Sequence, residues 1–119
     1  MNLNLTAFFG ILNKLKIDHL QTRSHAEHAA LGIAYDALDD LFDKYIEHFY
    51  GHGGYPDTLT SYKITLSSYS GDLIPQYLKL KSEFVAYLQA ISNDSGDLKN
   101  ICDEIEGEFN HLIYRLNQK

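Results

Sequence analysis

Residues 25–51, HAEHAALGIAYDALDDLFDKYIEHFYG, decide the fold, because they have an apolar residue at every third or fourth position. The stretch contains no proline, Ser24 before it is a favourable N-cap, and Gly51 supplies a stop at its end. At about 100° per residue, its apolar side chains fall on one stripe of a helix that packs against a core. These side chains are Leu31, Ala34, Leu38, Leu41, Phe42, Tyr45 and Phe49. The sequence therefore predicts a helix from His25 to Gly51.

Three further helices are predicted on either side of this one from the same three- and four-residue spacing of apolar residues. They run from about Asn4 to Gln21, from Asp72 to near Ser92, and from Leu98 to Leu116. Residues 51–57 are rich in glycine and are predicted to be a loop, while residues 58–72 are predicted to be irregular, with room for a short helical turn. Two short connections and one long crossover between the second and third helices predict a single all-α domain, a four-helix bundle over residues 1–119.

Composition limits the classes of protein to which the chain can belong. With 119 residues, 45% of them hydrophobic and 22% charged, it has the composition of one globular domain. A net charge of -6 and the lack of a basic tail argue against binding DNA or RNA through bulk positive charge. No apolar run approaches the roughly 20 residues of a membrane span, residues 1–16 lack the order of a secretory signal, and Cys102 has no cysteine to pair with. We therefore expect a cytoplasmic protein without a nucleic-acid or membrane partner.

The other side of the predicted helix 25–51 carries charge of a single sign. Five carboxylates share this side with His28, and only Lys44 at its margin is basic. The five are Asp36, Asp39, Asp40, Asp43 and Glu47. Such a stripe is ordinarily a solvated surface, but like charges at this spacing destabilise a helix. A bound cation is one arrangement that offsets the repulsion, because metal ions favour carboxylate and imidazole ligands.

Spacing along the helix limits where a cation can bind. His28 and Asp43 are fifteen residues apart, which is about 22 Å along a helix axis, so one ion cannot contact both in one chain. Two copies of the helix can pack antiparallel about a twofold axis near Asp36 and Ala37. His28 of one copy then lies beside Asp43 and Glu47 of the other, and carboxylates at i and i+4 can converge on one ion. This arrangement predicts two equivalent metal sites in a homodimer.

These residues resemble the Dps-like branch of the ferritin-like proteins. In that family, a histidine on the first helix and a His-x14-Asp-x3-Glu pattern on the second form a ferroxidase site across a dimer interface. The matching residues here are His19, His28, Asp43 and Glu47. The resemblance implies a ferritin-like four-helix bundle that binds iron, as a di-iron or mono-iron centre, and oxidises Fe(II) in a homodimer or larger assembly. The chain departs from the family at Gly32, where an acidic residue is usual one turn after the second histidine.

The same bundle has a second interpretation without metal. A non-catalytic helical bundle would use the helix 25–51 as an oligomerisation or partner surface. A hemerythrin-like bundle, with a di-iron centre inside one chain, needs ligands that point into the core, whereas His28, Asp43 and Glu47 are predicted to point away from it.

Other histidines near the ends of this helix are weaker candidates for ligands. His25 can share a face with His28, but histidines beside a helix start are more often capping or exposed groups. His48 and His52 have the i, i+4 spacing of zinc-binding helices. The glycines on either side of His52 nevertheless predict that it lies beyond the end of the helix.

Overall fold

The computed structural model describes residues 2–56, 58–59 and 61–118. Its elements are, in chain order, β1 Asn2–Leu3, α1 Leu5–Gln21, α2 His25–Gly51, β2 Tyr55–Pro56, α3 Leu73–Ser92 and α4 Gly96–Leu116. The four predicted helices are confirmed, with bounds that differ from the predicted ones by at most two residues. The fold is a bundle of four helices, as predicted, with one pair of two-residue strands beside it.

Polar side chains fix the starts of the first two helices. Asn4 Oδ1 accepts a hydrogen bond from the amide of Thr6 at 3.1 Å, and Ser24 Oγ accepts one from the amide of Glu27 at 3.2 Å. Each bond satisfies an amide that has no partner within the first turn of a helix. The predicted N-cap Ser24 is therefore confirmed, and it places His28 in the first turn of α2.

The core lies along the apolar stripe of α2, which packs against both α1 and α4. Phe8 of α1 contacts Phe42 of α2 and Phe84 of α3 edge to face, with ring centroids 5.3 and 5.1 Å apart. Edge-to-face contacts of this kind add to the free energy gained by burying the rings. The buried residues of α2 are Ala30, Leu31, Ala34, Leu38, Phe42, Tyr45 and Phe49. In the described ranges, no helix is both long and apolar enough to cross a membrane.

Hydrogen bonds between the helices define their directions. The Tyr87 hydroxyl accepts from the amide of Asn4 at 2.8 Å, and the Tyr77 hydroxyl donates to Asp18 at 2.6 Å, so α3 runs antiparallel to α1. The first turn of α4 is bonded to the last turn of α2. The four helices therefore run up, down, down and up, and the connection 52–72 returns along the bundle, as a long crossover must.

The crossover is tied to both ends of the bundle. At its start Tyr55 and Pro56 form a short parallel pair with Asn2 and Leu3, which the loop predicted for residues 51–57 did not include. Near its end the amide of Tyr69 donates to Gln21 Oε1 at 2.7 Å. Among the described residues between these anchors the chain is irregular, as predicted, and has no helical turn.

Asp18, directly before His19, is a buried carboxylate at 1% exposure. It accepts hydrogen bonds from the Tyr77 hydroxyl at 2.6 Å and from Lys14 Nζ at 3.0 Å. A buried charge needs such partners, because its loss of hydration is otherwise not compensated. Burial, together with the bond to Asp18, raises the pKa of Tyr77 above its ordinary value. The bond from Tyr77 holds the last turn of α1 against α3, whereas the bond from Lys14 lies within α1.

Candidate functional site

The side of α2 that faces away from the core is acidic, as the helical pattern predicts. Its exposed carboxylates are Asp36, Asp40, Asp43 and Glu47. Desolvation, and after it the repulsion of neighbouring carboxylates, Asp43 first among them, raise the pKa of the partly buried Asp39. Lys44 Nζ lies 3.4 Å from Oε1 of Glu104 on α4. Burial is therefore the largest cause of the shift at Asp39, and the negative charges of Asp43, Asp40 and Asp36 add to it.

His19 and His28, the two predicted histidine ligands, are in direct contact at the turn between α1 and α2. Their ring centroids are 3.8 Å apart and their planes differ by 18°. His19 Nδ1 lies 2.7 Å from the carbonyl oxygen of His28, and His28 Nδ1 lies 2.8 Å from the carbonyl oxygen of His19. Each ring is thus stacked on the other and bonded to the other residue's backbone.

These two bonds determine the tautomer of each neutral ring. A carbonyl oxygen can only accept a hydrogen bond, so both Nδ1 atoms must carry hydrogen. The neutral imidazoles of His19 and His28 then have an unprotonated Nε2, which can bind a cation. Metal-binding histidines characteristically donate their other N–H to a carbonyl or carboxylate, which fixes the ring orientation. The pair therefore has the tautomer and the backbone anchoring of metal ligands.

Gly32 lies one helical turn after His28, beside the ring of His19. A Cβ atom at this position would be 3.0 Å from Cε1 and 3.3 Å from Nδ1 of His19, closer than most Cβ contacts in proteins. The Dps-like proteins, which this sequence resembles, usually have an acidic ligand at the position of Gly32. In this chain the position instead leaves space for the imidazole of His19.

His25 extends the stack by a third ring. Its centroid is 6.5 Å from that of His28, and the two planes differ by 19°. The His25 side chain is exposed in the first turn of α2. Among the described residues, His25 has no hydrogen bond to a backbone carbonyl of the kind that anchors His19 and His28.

The chain does not bring the four predicted ligands together. Asp43 and Glu47 are both exposed and four residues apart on α2. They are separated from His28 by continuous helix, about 22 Å from His28 to Asp43. In residues 2–56, 58–59 and 61–118, no three histidine, cysteine, aspartate or glutamate side chains form a group that could hold a metal ion. One copy of the chain thus presents a pair of imidazoles and a separate pair of carboxylates.

A different cluster lies at the far end of α2, where Asp97 of α4 joins His48 and His52. His48 Nδ1 donates to Asp97 Oδ2 at 3.0 Å, and His52 Nε2 donates to Asp97 Oδ1 at 2.8 Å. These bonds lower the pKa of Asp97 to about 2. His52 is the C-cap of α2, beyond its last residue as predicted. Asp97 could have been found only from the topology, which places the start of α4 beside the end of α2.

Comparison with known proteins gives a family for the chain. Residues 19–116, from His19 through the whole of α2, α3 and α4, match a family of unknown function, DUF5856. No curated protein and no solved structure matches the chain. Because the match spans well over half of the chain, the protein belongs to the family of unknown function DUF5856.

Proposed function

We propose that the protein is a Dps-like member of the ferritin-like proteins, and that it binds Fe(II) between two copies of the chain and oxidises it. The observation that carries this proposal is the stacked pair of His19 and His28, in which both Nδ1 atoms donate to backbone carbonyls at 2.7 and 2.8 Å. Each Nε2 is thereby unprotonated and can bind a cation, while the bond at Nδ1 holds the ring in place. The up, down, down, up order of the helices, with its long crossover, supports the ferritin-like comparison.

The carboxylates of the proposed site come from the second copy. When two α2 helices pack antiparallel about an axis near Asp36 and Ala37, Asp43 and Glu47 of one copy lie beside His28 of the other. Two neutral imidazoles and two carboxylates give a nitrogen and oxygen ligand set whose negative charge attracts divalent ions. A bound cation would also relieve the repulsion between Asp43 and Glu47, which lie at i and i+4 on α2.

The stacking of the rings bears on the number of ions. The Nε2 lone pair of an imidazole lies in the plane of the ring. Because the planes of His19 and His28 are nearly parallel, at 18°, with centroids 3.8 Å apart, their lone pairs do not converge on one point. The geometry therefore favours two ions, one on each ring. Asp43 or Glu47 of the second copy would bridge them, as carboxylates do between ions roughly 3.5–4 Å apart.

Fe(II) is the substrate of the proposed reaction. Two Fe(II) ions each give one electron to hydrogen peroxide, its O–O bond breaks, and two protons from solvent complete two water molecules as the ions become Fe(III). The contribution of the chain is to hold two ions side by side and to place carboxylate charge where the ionic charge increases. We place this activity in the cytoplasm, where the buried thiol of Cys102 remains unpaired.

Anaerobic titration of the chelator-treated protein with Fe(II) tests the proposal. We expect saturation at about two ions per chain in a species that sedimentation shows to be a dimer or larger. The double variant Asp43→Ala/Glu47→Ala should lose this binding while its far-ultraviolet circular dichroism stays that of the wild type. Wild-type binding by that variant would contradict the proposal.

The matched control is a second pair of carboxylates at i and i+4, Glu104 and Glu108 on α4. The variant Glu104→Ala/Glu108→Ala removes the same charge from the chain and should bind Fe(II) as the wild type does. Equal loss of binding in both double variants would mean that net charge, and not the proposed site, attracts the ion.

A second candidate function is non-catalytic oligomerisation through α2. It is favoured by an apolar patch at the start of that helix, where Ile33 is 48% exposed and Ala26 and Ala29 are also exposed. Exposed apolar groups of this kind are suited to contact between chains. On this alternative, the dimer persists in chelator and the titration detects no bound Fe(II).

A further inference from the structure

Gly32 lies inside α2 at a position where the backbone does not require glycine. The helix is continuous from His25 to Gly51, and among the described glycines only Gly53 has a positive φ. Glycine inside a helix is unfavourable relative to alanine, because it loses more conformational freedom on folding. The glycine at position 32 is therefore explained by the space that a missing side chain leaves, and not by the backbone conformation.

The space that a side chain would occupy at position 32 is taken by the ring of His19. A Cβ atom there would lie 3.0, 3.3 and 3.8 Å from Cε1, Nδ1 and Nε2 of that ring. The ring cannot easily move away, because its face is stacked on His28 and its Nδ1 is bonded to the His28 carbonyl. A Cβ at position 32 would require the ring to shift by a few tenths of an ångström, and this shift would strain both contacts.

Gly32 also leaves the carbonyl of His28 accessible. Side chains of a helix tilt toward its N-terminus and lie over the preceding turn. A side chain at position 32 would therefore lie over the turn that contains the carbonyl of His28. With glycine there, the carbonyl oxygen has a second lone pair open to His19 Nδ1 at 2.7 Å.

We infer that Gly32 is a positioning residue for His19: its missing side chain seats the imidazole against α2, opens the carbonyl of His28 to Nδ1, and so fixes the direction of Nε2. The seating of the ring depends only on the chain itself. Its use in binding iron rests on the proposed function.

A double-mutant cycle between positions 19 and 32 tests the inference through stability. The matched control is Gly107, a glycine inside α4 where an added Cβ would meet no atom within 4 Å. Gly107→Ala should raise the midpoint of thermal unfolding by roughly 2–4 °C through helix propensity. Gly32→Ala should give no such gain in the wild type, but should give the full gain when His19→Ala has removed the ring. The same effect of Gly32→Ala in both backgrounds would overturn the inference.

The tautomer of His19 gives a second measurement, independent of stability. Long-range proton–nitrogen correlation spectra should show hydrogen on Nδ1 of His19 in the wild type and in Gly107→Ala, and a mixture of tautomers in Gly32→Ala. An unchanged His19 spectrum in Gly32→Ala would overturn the inference.

The same variants distinguish the positioning role from the proposed function. If Gly32→Ala binds Fe(II) at least tenfold more weakly than Gly107→Ala and also loses the Nδ1–H tautomer of His19, the positioning role and the proposed function are both supported. Loss of the tautomer in Gly32→Ala, with no Fe(II) binding by the wild type, keeps the role of Gly32 and contradicts the proposed function.

Discussion

Asp97 joins the end of α2 to the start of α4 through hydrogen bonds from His48 and His52 at 3.0 and 2.8 Å. These bonds lower the pKa of its carboxyl group from 3.8 to about 2. A lowered pKa means that the folded state favours the ionised form more than the unfolded chain does. The stabilisation is therefore complete above pH 3.8 and is lost as the pH falls through that value toward about 2.

Asp97→Asn tests this contribution. We expect the variant to have a lower free energy of unfolding than the wild type at about pH 6, and the difference to close as the pH falls to about 2. Urea unfolding followed by circular dichroism across this range measures it. Asp94→Asn is the control, because the Asp94 side chain is fully exposed and lies 3.7 Å from Lys99. A difference between wild type and Asp97→Asn that does not depend on pH would contradict the assignment.

Gly32 shows how far single residues could be interpreted from the sequence. The histidine pattern identifies His19 and His28, and the same pattern makes Gly32 look like a missing ligand. The contact between the rings depends on the angle at which the turn between α1 and α2 joins the helices, which residue spacing does not encode. Only that contact shows that Gly32 makes room for an imidazole.

At the scale of elements, amphipathic periodicity is sufficient to predict the helices but not the two short strands. The stripe of α2 and the N-cap Ser24 predict its bounds correctly, because burial of one face and capping both leave a local signature. The pairing of Asn2–Leu3 with Tyr55–Pro56 has no such signature. Strands of two residues have no period, and their pairing depends on where the crossover begins.

Tyr45 provides a test of the contact between α2 and α3. It is fully buried, and its hydroxyl lies 2.6 Å from Ser92 Oγ and 3.2 Å from the carbonyl oxygen of Leu88. Burial raises the pKa of Tyr45 to about 12, so the hydroxyl remains a neutral donor. Tyr45→Phe removes these hydrogen bonds and should lower the free energy of unfolding by about 1 kcal/mol.

Chemical denaturation of Tyr45→Phe beside Tyr114→Phe measures this effect. Tyr114 is 66% exposed on α4, so its variant should stay within about 0.5 kcal/mol of the wild type. Equal stability of both variants and the wild type would mean that the hydroxyl of Tyr45 contributes nothing to the packing of α3 on α2.

At the scale of the whole molecule, one copy of the chain holds two halves of the proposed site at opposite ends of α2. The sequence predicts the residues of each half from their positions along α1 and α2, but not the contact between His19 and His28, which depends on the turn between these helices. The contact surface that would join two copies cannot be predicted from the sequence, because that surface depends on the shape of the folded bundle. The carboxylates around Asp39, which contribute after desolvation to its raised pKa, add a repulsion that an interface on this side of α2 must overcome.

The central claim, that histidines of one copy and carboxylates of another bind Fe(II) together, is tested most directly by mixing two inactive variants. His19→Ala/His28→Ala and Asp43→Ala/Glu47→Ala should each fail to bind Fe(II) alone. A mixed dimer has one complete site, so after random exchange of chains the mixture should regain about a quarter of the wild-type capacity. No Fe(II) binding by a mixture in which mass spectrometry detects the mixed dimer would contradict the account.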